Sequence, residues 1–380
     1  MELRGADEET IFNELNEVAK LDVPYERVLS SMCTAPHPIA AKAHADFIRS
    51  NLGDPKLFPG TSLIERKCIQ MLGELLHLPD AVGYITTGGT ESNIQAMRTA
   101  IQLTAGRVDR SKASIIIPES SHYSFDKAAQ LLGLRLKRAP LTDDLKVDPY
   151  AMAEMIDQDT IAMVAVAGTT EFGQIDPIKE IGKLAVENDL YLHVDAAFGG
   201  FVIPFLECSS KYLFDFEVEG VQSITIDPHK MGMSTIPSGG LLYRNACHMK
   251  VLEINAQYLT SQVQSSLAGT RSGASAAATY AVMRYLGKEG YEHIVSRCME
   301  NSRSLYDRLA DMGLDPVIDP VLNIVTFFAN DAMSVRRKLA EKGWYVSTTR
   351  DPVSLRMVVM PHVTEEAIIS YVSDLERVLE

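Results

Sequence analysis

Short runs of β-branched and apolar residues alternate along the chain with longer stretches whose apolar residues recur every third or fourth position. Val82–Thr86, Ala113–Pro118, Leu134–Lys137, Ile161–Ala167, Leu190–Asp195 and Gln222–Ile226 read as strands. IAMVAVA at 161–167 is apolar throughout, the mark of a strand buried on both faces of a parallel sheet. Between the strands lie helical stretches. Thr61–Leu78 is predicted to bury Leu63, Ile64, Cys68, Met71, Leu72 and Leu75, and others open at Gly89, Pro149 and Pro177. Such alternation requires right-handed crossovers and a mostly parallel sheet, an α/β fold. Gly239–Arg244 adds a strand expected to be antiparallel at the sheet edge.

The two ends read differently. Residues 1–50 carry helical patterns at Glu8–Lys20, with Ile11, Leu15 and Val18 on one face, and at Ile39–Ser50, separated by the MCTAPHP loop of Met32–Pro38. This N-terminal arm is too small to bury a core alone. Residues 51–290 form the large domain. From 259 to 278 the composition shifts to Ser, Thr, Gly, Ala and Gln, which taken alone describes a flexible linker. Helical patterns at Ala276–Leu286 and Tyr291–Met312 lead into a small C-terminal α+β domain, 291–380. Its strands are expected at Asn323–Phe328, Trp344–Ser347 and Ser354–Val359, and its helices at Ala332–Lys342 and Thr364–Leu379.

At 380 residues, 46% hydrophobic and 23% charged, the chain has an ordinary globular make-up. A net charge of −14 leaves no basic stripe for nucleic acid. No apolar run reaches membrane-spanning length, and the acidic N-terminus lacks the apolar core of a secretory signal. The five cysteines are scattered without CxxC spacing, which suits reduced thiols in a cytoplasmic protein without a zinc site.

Two strand ends carry the candidate chemistry. Leu190–Asp195 ends in a carboxylate followed by Ala196 and Ala197, small enough to admit a flat ligand. Gln222–Ile226 ends in Asp227–Pro228, followed by His229 and Lys230. A lone His-Lys pair is ordinarily a surface feature, and a lone strand-end Asp ordinarily a cap. Together, at the sheet edge where ligands collect, they read as the machinery of pyridoxal 5'-phosphate. Lys230 condenses with the aldehyde, and Asp195 keeps the pyridine nitrogen protonated so that the ring stays an electron sink. Gly88-Gly89-Thr90, between a strand and a helix, aims free N–H groups at an anion. With no GxGxxG and no Walker-type lysine, that anion is read as the cofactor phosphate. His122 and the pair Thr169–Thr170 stand at further strand ends.

HVDAAFGG, DPHKMG and GGTESN resemble the group II pyridoxal-phosphate decarboxylases of fold type I, the aspartate aminotransferase fold. Within that group the chain is most similar to the archaeal L-tyrosine/L-aspartate decarboxylases, from about Cys33 to the C-terminus. The resemblance implies cofactor contacts from Gly88, Gly89, Thr90, Ala197, Asp227 and His229, with His122 stacked on the ring. Either Thr169 or Thr170 meets the phenolic oxygen. Segment 256–275 reaches across a homodimer, so that Gly269-Thr270-Arg271 meets the partner's phosphate. Tyr258 falls where the family carries a mobile loop, and it or His122 returns a proton to Cα. Arg356, the one charge in SLRMVVMP, is either a structural ion pair or a fork for the substrate carboxylate, and the resemblance favours the fork. His37 is a second substrate-binding candidate, against the plainer reading of a turn; Arg271 and Arg350 are further cations. The implied activity is L-tyrosine to tyramine, L-aspartate to β-alanine, or both, with release of CO2, for methanofuran or coenzyme A biosynthesis. Two alternatives stand beside it. A carbon–carbon lyase of the sphingosine-phosphate lyase type would want a membrane anchor and a second basic cluster. A cofactor-free binding protein would not need Lys230, Asp195 and the glycine turn.

Overall fold

The structure, a computed structural model, describes residues 4–380. Helices α1 (Glu8–Ala19), α2 (Pro38–Asp46) and α3 (Pro59–Leu75) precede the sheet. Asp7 caps α1 by accepting from the Thr10 amide, yet no residue of α1 is buried, and Ile11, Phe12, Leu15 and Val18 face outward. Leu63 of α3 is exposed, contrary to the sequence pattern. The buried stripe runs instead through Thr61, Glu65, Cys68, Ile69 and Leu72, because a polar Glu65 occupies a core-facing turn.

The central sheet comprises β1 (Val82–Thr86), β2 (Ser114–Pro118), β3 (Arg135–Ala139), β4 (Thr160–Val166), β5 (Tyr191–Asp195), β6 (Val221–Ile226) and β7 (Gly239–Tyr243). Its order is β1-β7-β6-β5-β4-β2-β3, parallel from β6 to β3. The strand β7 is antiparallel as expected but lies inside the sheet, between β6 and β1. All of GGLLY is buried, which only an interior strand satisfies. Helices α4 (Gly89–Leu103), α5 (Ser124–Leu132), α6 (Pro149–Glu154), α7 (Ile178–Glu187) and α8 (Ala246–Lys250) accompany the sheet. One core gathers Leu72, Ile116, Met163, Leu192 and Ile224, and the other Met97, Ile115, Phe125, Val164 and Leu241. Adjacent residues of β2 (115, 116) and β4 (163, 164) enter opposite cores, as the strand's period of two demands.

Residues 254–264 fold back as a short hairpin, β8 (Ile254–Asn255) with β9 (Val263–Gln264). The two helical patterns expected beyond it join in α9 (Gly273–Asp311), broken only at Gly287, whose φ is +59°. In the C-terminal lobe β10 (Ile324–Phe327) and β11 (Ser347–Thr348) flank β12 (Leu355–Val358), with α10 (Ala332–Glu341) and α11 (Glu365–Leu379) packed on them. Trp344 does not open a strand. Its indole is buried and its Nε1 donates to Asp374 at 3.0 Å, which anchors the chain ahead of β11. Among the described residues no helix is long and apolar enough to cross a membrane.

Candidate active site

β5 and β6 are neighbours, so Asp195 and Lys230 emerge at the same edge of the sheet. A cavity of about 230 Å3 opens there, walled by Gly88, Gly89, Thr90, His122, Asp195, Ala197 and Lys230. Thr170, Asp227, His229 and Asn93 also line it. Lys230 leaves β6 through a turn in which its amide donates to the Asp227 carbonyl at 3.1 Å. Its Nζ lies 3.2 Å from Asp227 Oδ2. Burial opposes the ammonium, but Asp227 and Asp195 outweigh it and hold Lys230 above the usual lysine range. His229 Nδ1 accepts from the Ser238 amide at 3.0 Å, so the ring proton sits on Nε2, 3.5 Å from Asp227 Oδ2. Asp227 Oδ1 has no partner.

The anion cradle is built from backbone. α4 starts without a side-chain cap, at Gly88 with φ +146°, which leaves its first N–H groups open. A Cβ on Gly88 would lie 2.8 Å from the His229 ring, and one on Gly89 3.0 Å from Asp227 Oδ2. Any larger residue at either position would close the cradle. A phosphate at this helix N-terminus, a pyridine nitrogen at Asp195 and an aldehyde at Lys230 match the donors and acceptors that line the cavity.

Burial depresses the His122 imidazole despite Asp195, keeping it neutral, and its Nδ1 accepts from the Ser124 amide at 3.3 Å. Thr170 lines the cavity, whereas the Thr169 hydroxyl turns into its own loop and accepts from the Gln174 amide at 3.0 Å. Asn93 was not anticipated. Its Nδ2 donates to Asp195 Oδ2 at 2.8 Å. The signal lay in the spacing, since position 93 follows Gly89 by one helical turn and therefore faces the same cavity.

Other expected contributors lie apart within a single chain. His37 caps α2, accepting from the Ile39 amide at 3.3 Å, and packs on Tyr285. Tyr258, between β8 and β9, is 90% exposed, and Gly269 and Thr270 are also exposed. Two of the three candidate substrate cations are already engaged. Arg350 Nε meets Glu171 Oε1 at 2.7 Å, and Arg271 is paired with Glu65. Arg356 is different. It is 5% exposed, and its Nη1 donates to the Ser30 carbonyl (3.0 Å) and Ser347 Oγ (2.9 Å), while Nε and Nη2 have no partner. No carboxylate within salt-bridge distance accompanies it among the described residues. A wider cleft of about 590 Å3 between α3, α9 and the 201–217 segment offers aromatic walls, but its lysine, Lys288, lies in α9 and not at a strand end.

A backbone anion cradle facing a strand-end lysine, on a mostly parallel sheet, defines a pyridoxal-phosphate enzyme of fold type I. The chain belongs to the pyridoxal-dependent decarboxylase family, whose conserved domain matches residues 13–329. A probable L-tyrosine/L-aspartate decarboxylase of Methanocella arvoryzae is 67% identical over the full length of both chains. A probable L-aspartate decarboxylase of Archaeoglobus fulgidus is 48% identical over 97% of this chain and 99% of its own. Among solved structures, the sphingosine-1-phosphate lyase of Burkholderia pseudomallei superposes with a TM-score of 0.91 at 27% identity, covering 100% of this chain and 92% of its own. The chain is thus a pyridoxal-phosphate-dependent carboxy-lyase.

Proposed function

We propose that the substrate is L-tyrosine, L-aspartate or both, giving tyramine or β-alanine with release of CO2. The observation that carries this reading is the half-free guanidinium of Arg356. A buried cation with two unsatisfied donors is costly unless a carboxylate completes it. The substrate's own carboxylate is the natural occupant. Glu171, next to Thr170 of the cavity wall, is the acidic group whose charge Arg356 feels. Bound pyridoxal phosphate supplies the electron sink for the bond broken at Cα. Asp195 would hold the cofactor's ring nitrogen, Lys230 would hold its aldehyde carbon, and neutral His122 in the cavity wall would lie beside the ring and supply a proton. The relatives from Methanocella and Archaeoglobus, named as probable tyrosine/aspartate and aspartate decarboxylases, support both substrates. The test is to supply the holoenzyme with every proteinogenic amino acid and follow CO2 and amine. Release from tyrosine or aspartate supports the reading. Aldehyde release from a phosphorylated long-chain amine, with no CO2 from any amino acid, would replace it with the lyase alternative.

The working form we infer is a homodimer with composite sites, in the cytoplasm. The exposed apolar face of α1 and the exposed, polar 256–270 segment support it, since both are surfaces a second copy would cover. Mixing Lys230→Ala protein with Thr270→Glu protein should restore activity through hybrid dimers. A fully active monomer in sedimentation would end this proposal.

A further inference from the structure

Tyr191, His193 and Asp195 alternate along β5, so all three point to one face, toward α4 and α5. On β6, Ser223 stands opposite His193 and Thr225 opposite Asp195. The side chains link into one buried chain. Tyr191 donates its hydroxyl to Ser223 Oγ at 2.7 Å, and Ser223 lies 2.7 Å from His193 Nδ1. His193 Nε2 lies 2.9 Å from Asn93 Oδ1, and Thr225 donates to that same oxygen at 2.8 Å. Asn93 Nδ2 then reaches Asp195 Oδ2 at 2.8 Å.

The carboxylate sets every direction in this chain. Asn93 must turn its NH2 toward Asp195, because its carbonyl there would oppose a carboxylate oxygen. Its Oδ1 therefore faces His193, and only a protonated Nε2 can donate to it. Nδ1 is then the acceptor, and the Ser223 hydroxyl, fixed by Tyr191, donates to it. We propose that His193 is a positioning residue for Asp195. It locks the Asn93 amide so that Asp195 keeps one oxygen oriented and hydrogen-bonded while the carboxylate serves the ring nitrogen. His193 touches no reacting atom and acts only through Asn93. Around it, β6, α4 and α5 present Ser223, Thr225, Asn93 and Phe125, and the ionisable groups are Asp195 and, through Ser223, Tyr191. Burial holds the imidazole down to about 4, so it stays neutral over the working range.

The inference rests on the cofactor assignment and not on which amino acid is used, so its readout is substrate-free. Apoprotein is reconstituted with pyridoxal phosphate labelled with 15N in the ring, and the nitrogen's chemical shift is followed against pH. Wild-type protein is expected to keep the nitrogen protonated across neutral pH. His193→Phe should lower the pH at which that proton is lost by about one unit and weaken cofactor affinity about tenfold. His193→Gln, whose amide can still donate to Asn93, should recover most of both. Ser223→Ala, a smaller change that frees the tautomer, should move the nitrogen in the same direction by less, and it serves if His193→Phe does not fold. An unmoved nitrogen resonance with unchanged cofactor affinity, in His193→Phe or in a folded Ser223→Ala, would overturn the role. Amino-acid specificity plays no part in either result.

Discussion

Glu65 and Arg271 meet as a buried two-pronged ion pair, with Nη2 3.2 Å from Oε2 and side chains 11% and 12% exposed. The pair joins α3 to the turn before α9. Arg271 also donates to the Leu52 carbonyl at 3.1 Å and lies over the Tyr84 ring. Burial opposes the guanidinium charge, but Glu65 more than restores it. Arg271 is therefore committed to the protein, and with it the turn that presents Gly269 and Thr270. Glu65→Gln should cost about 3–5 kcal/mol by leaving a buried cation half-paired, read as a lowered melting temperature. Unchanged melting would mean that the pair contributes nothing to folding.

Arg356→Lys should behave differently, since this arginine has spare donors and no acid partner. The lysine keeps the charge and loses the planar fork. Expected is a fall in kcat/KM of about a hundredfold, with cofactor absorption and melting temperature unchanged. A variant that unfolds, or keeps full activity, would return Arg356 to a structural role.

Asp54 latches the hairpin that carries Tyr258. Its Oδ2 accepts from the Thr260 amide at 2.9 Å, and its Oδ1 accepts from the Thr260 hydroxyl. Asp54→Ala should leave the sheet intact while residues 254–264 become the first site of chymotryptic cutting, after Tyr258 or Leu259. Equal cutting rates in the two proteins would show that the latch does not hold.

Acid should weaken the fold through His193. Its folded value of about 4 lies below the ordinary 6.5, so the unfolded chain binds the proton more readily. The stability that depends on a neutral ring is complete above pH 6.5 and drains away as the pH falls toward 4. The loss approaches about 3 kcal/mol. Asp176 acts with the opposite sign, because burial lifts its carboxyl to about 6 and favours the folded state as it protonates below that pH. Comparison with His193→Gln separates the two. The stability advantage of wild type over this variant, from guanidinium midpoints, should shrink by roughly 2–3 kcal/mol between pH 7 and pH 4.5. A constant difference would place the histidine's titration elsewhere.

Lys230, Asp195 and the glycine turn were legible in the sequence because each interrupts a strand end, where a change of composition is visible locally. Their partners were not. His193 hides in an apolar strand and Asn93 within a helix, and only the sheet's register with Ser223 and Thr225 makes a network of them. Arg271, Arg350 and Arg356 look alike as isolated cations. What separates them is whether an acid lies opposite, and Glu65 and Glu171 are 206 and 179 residues away in the chain. The interior place of β7 escaped for the same reason, because strand order is set by non-local pairing. α1 was expected with an apolar face and has one, which no described segment of this chain covers.

Asp195 and Lys230 take their separation from two hydrogen-bonded strands of one sheet, and the glycine cradle is pressed against His229 of the second. The residues proposed to hold the aldehyde, the ring nitrogen and the phosphate therefore share one stiff piece of the sheet edge. Arg356, the expected substrate-carboxylate fork, and Tyr258, an expected proton donor, hang from separate parts, the C-terminal lobe and the β8–β9 hairpin. An exchange at Arg356 or Tyr258 therefore leaves the spacing of Asp195, Lys230 and the glycine cradle intact, because neither residue belongs to the seven-stranded sheet.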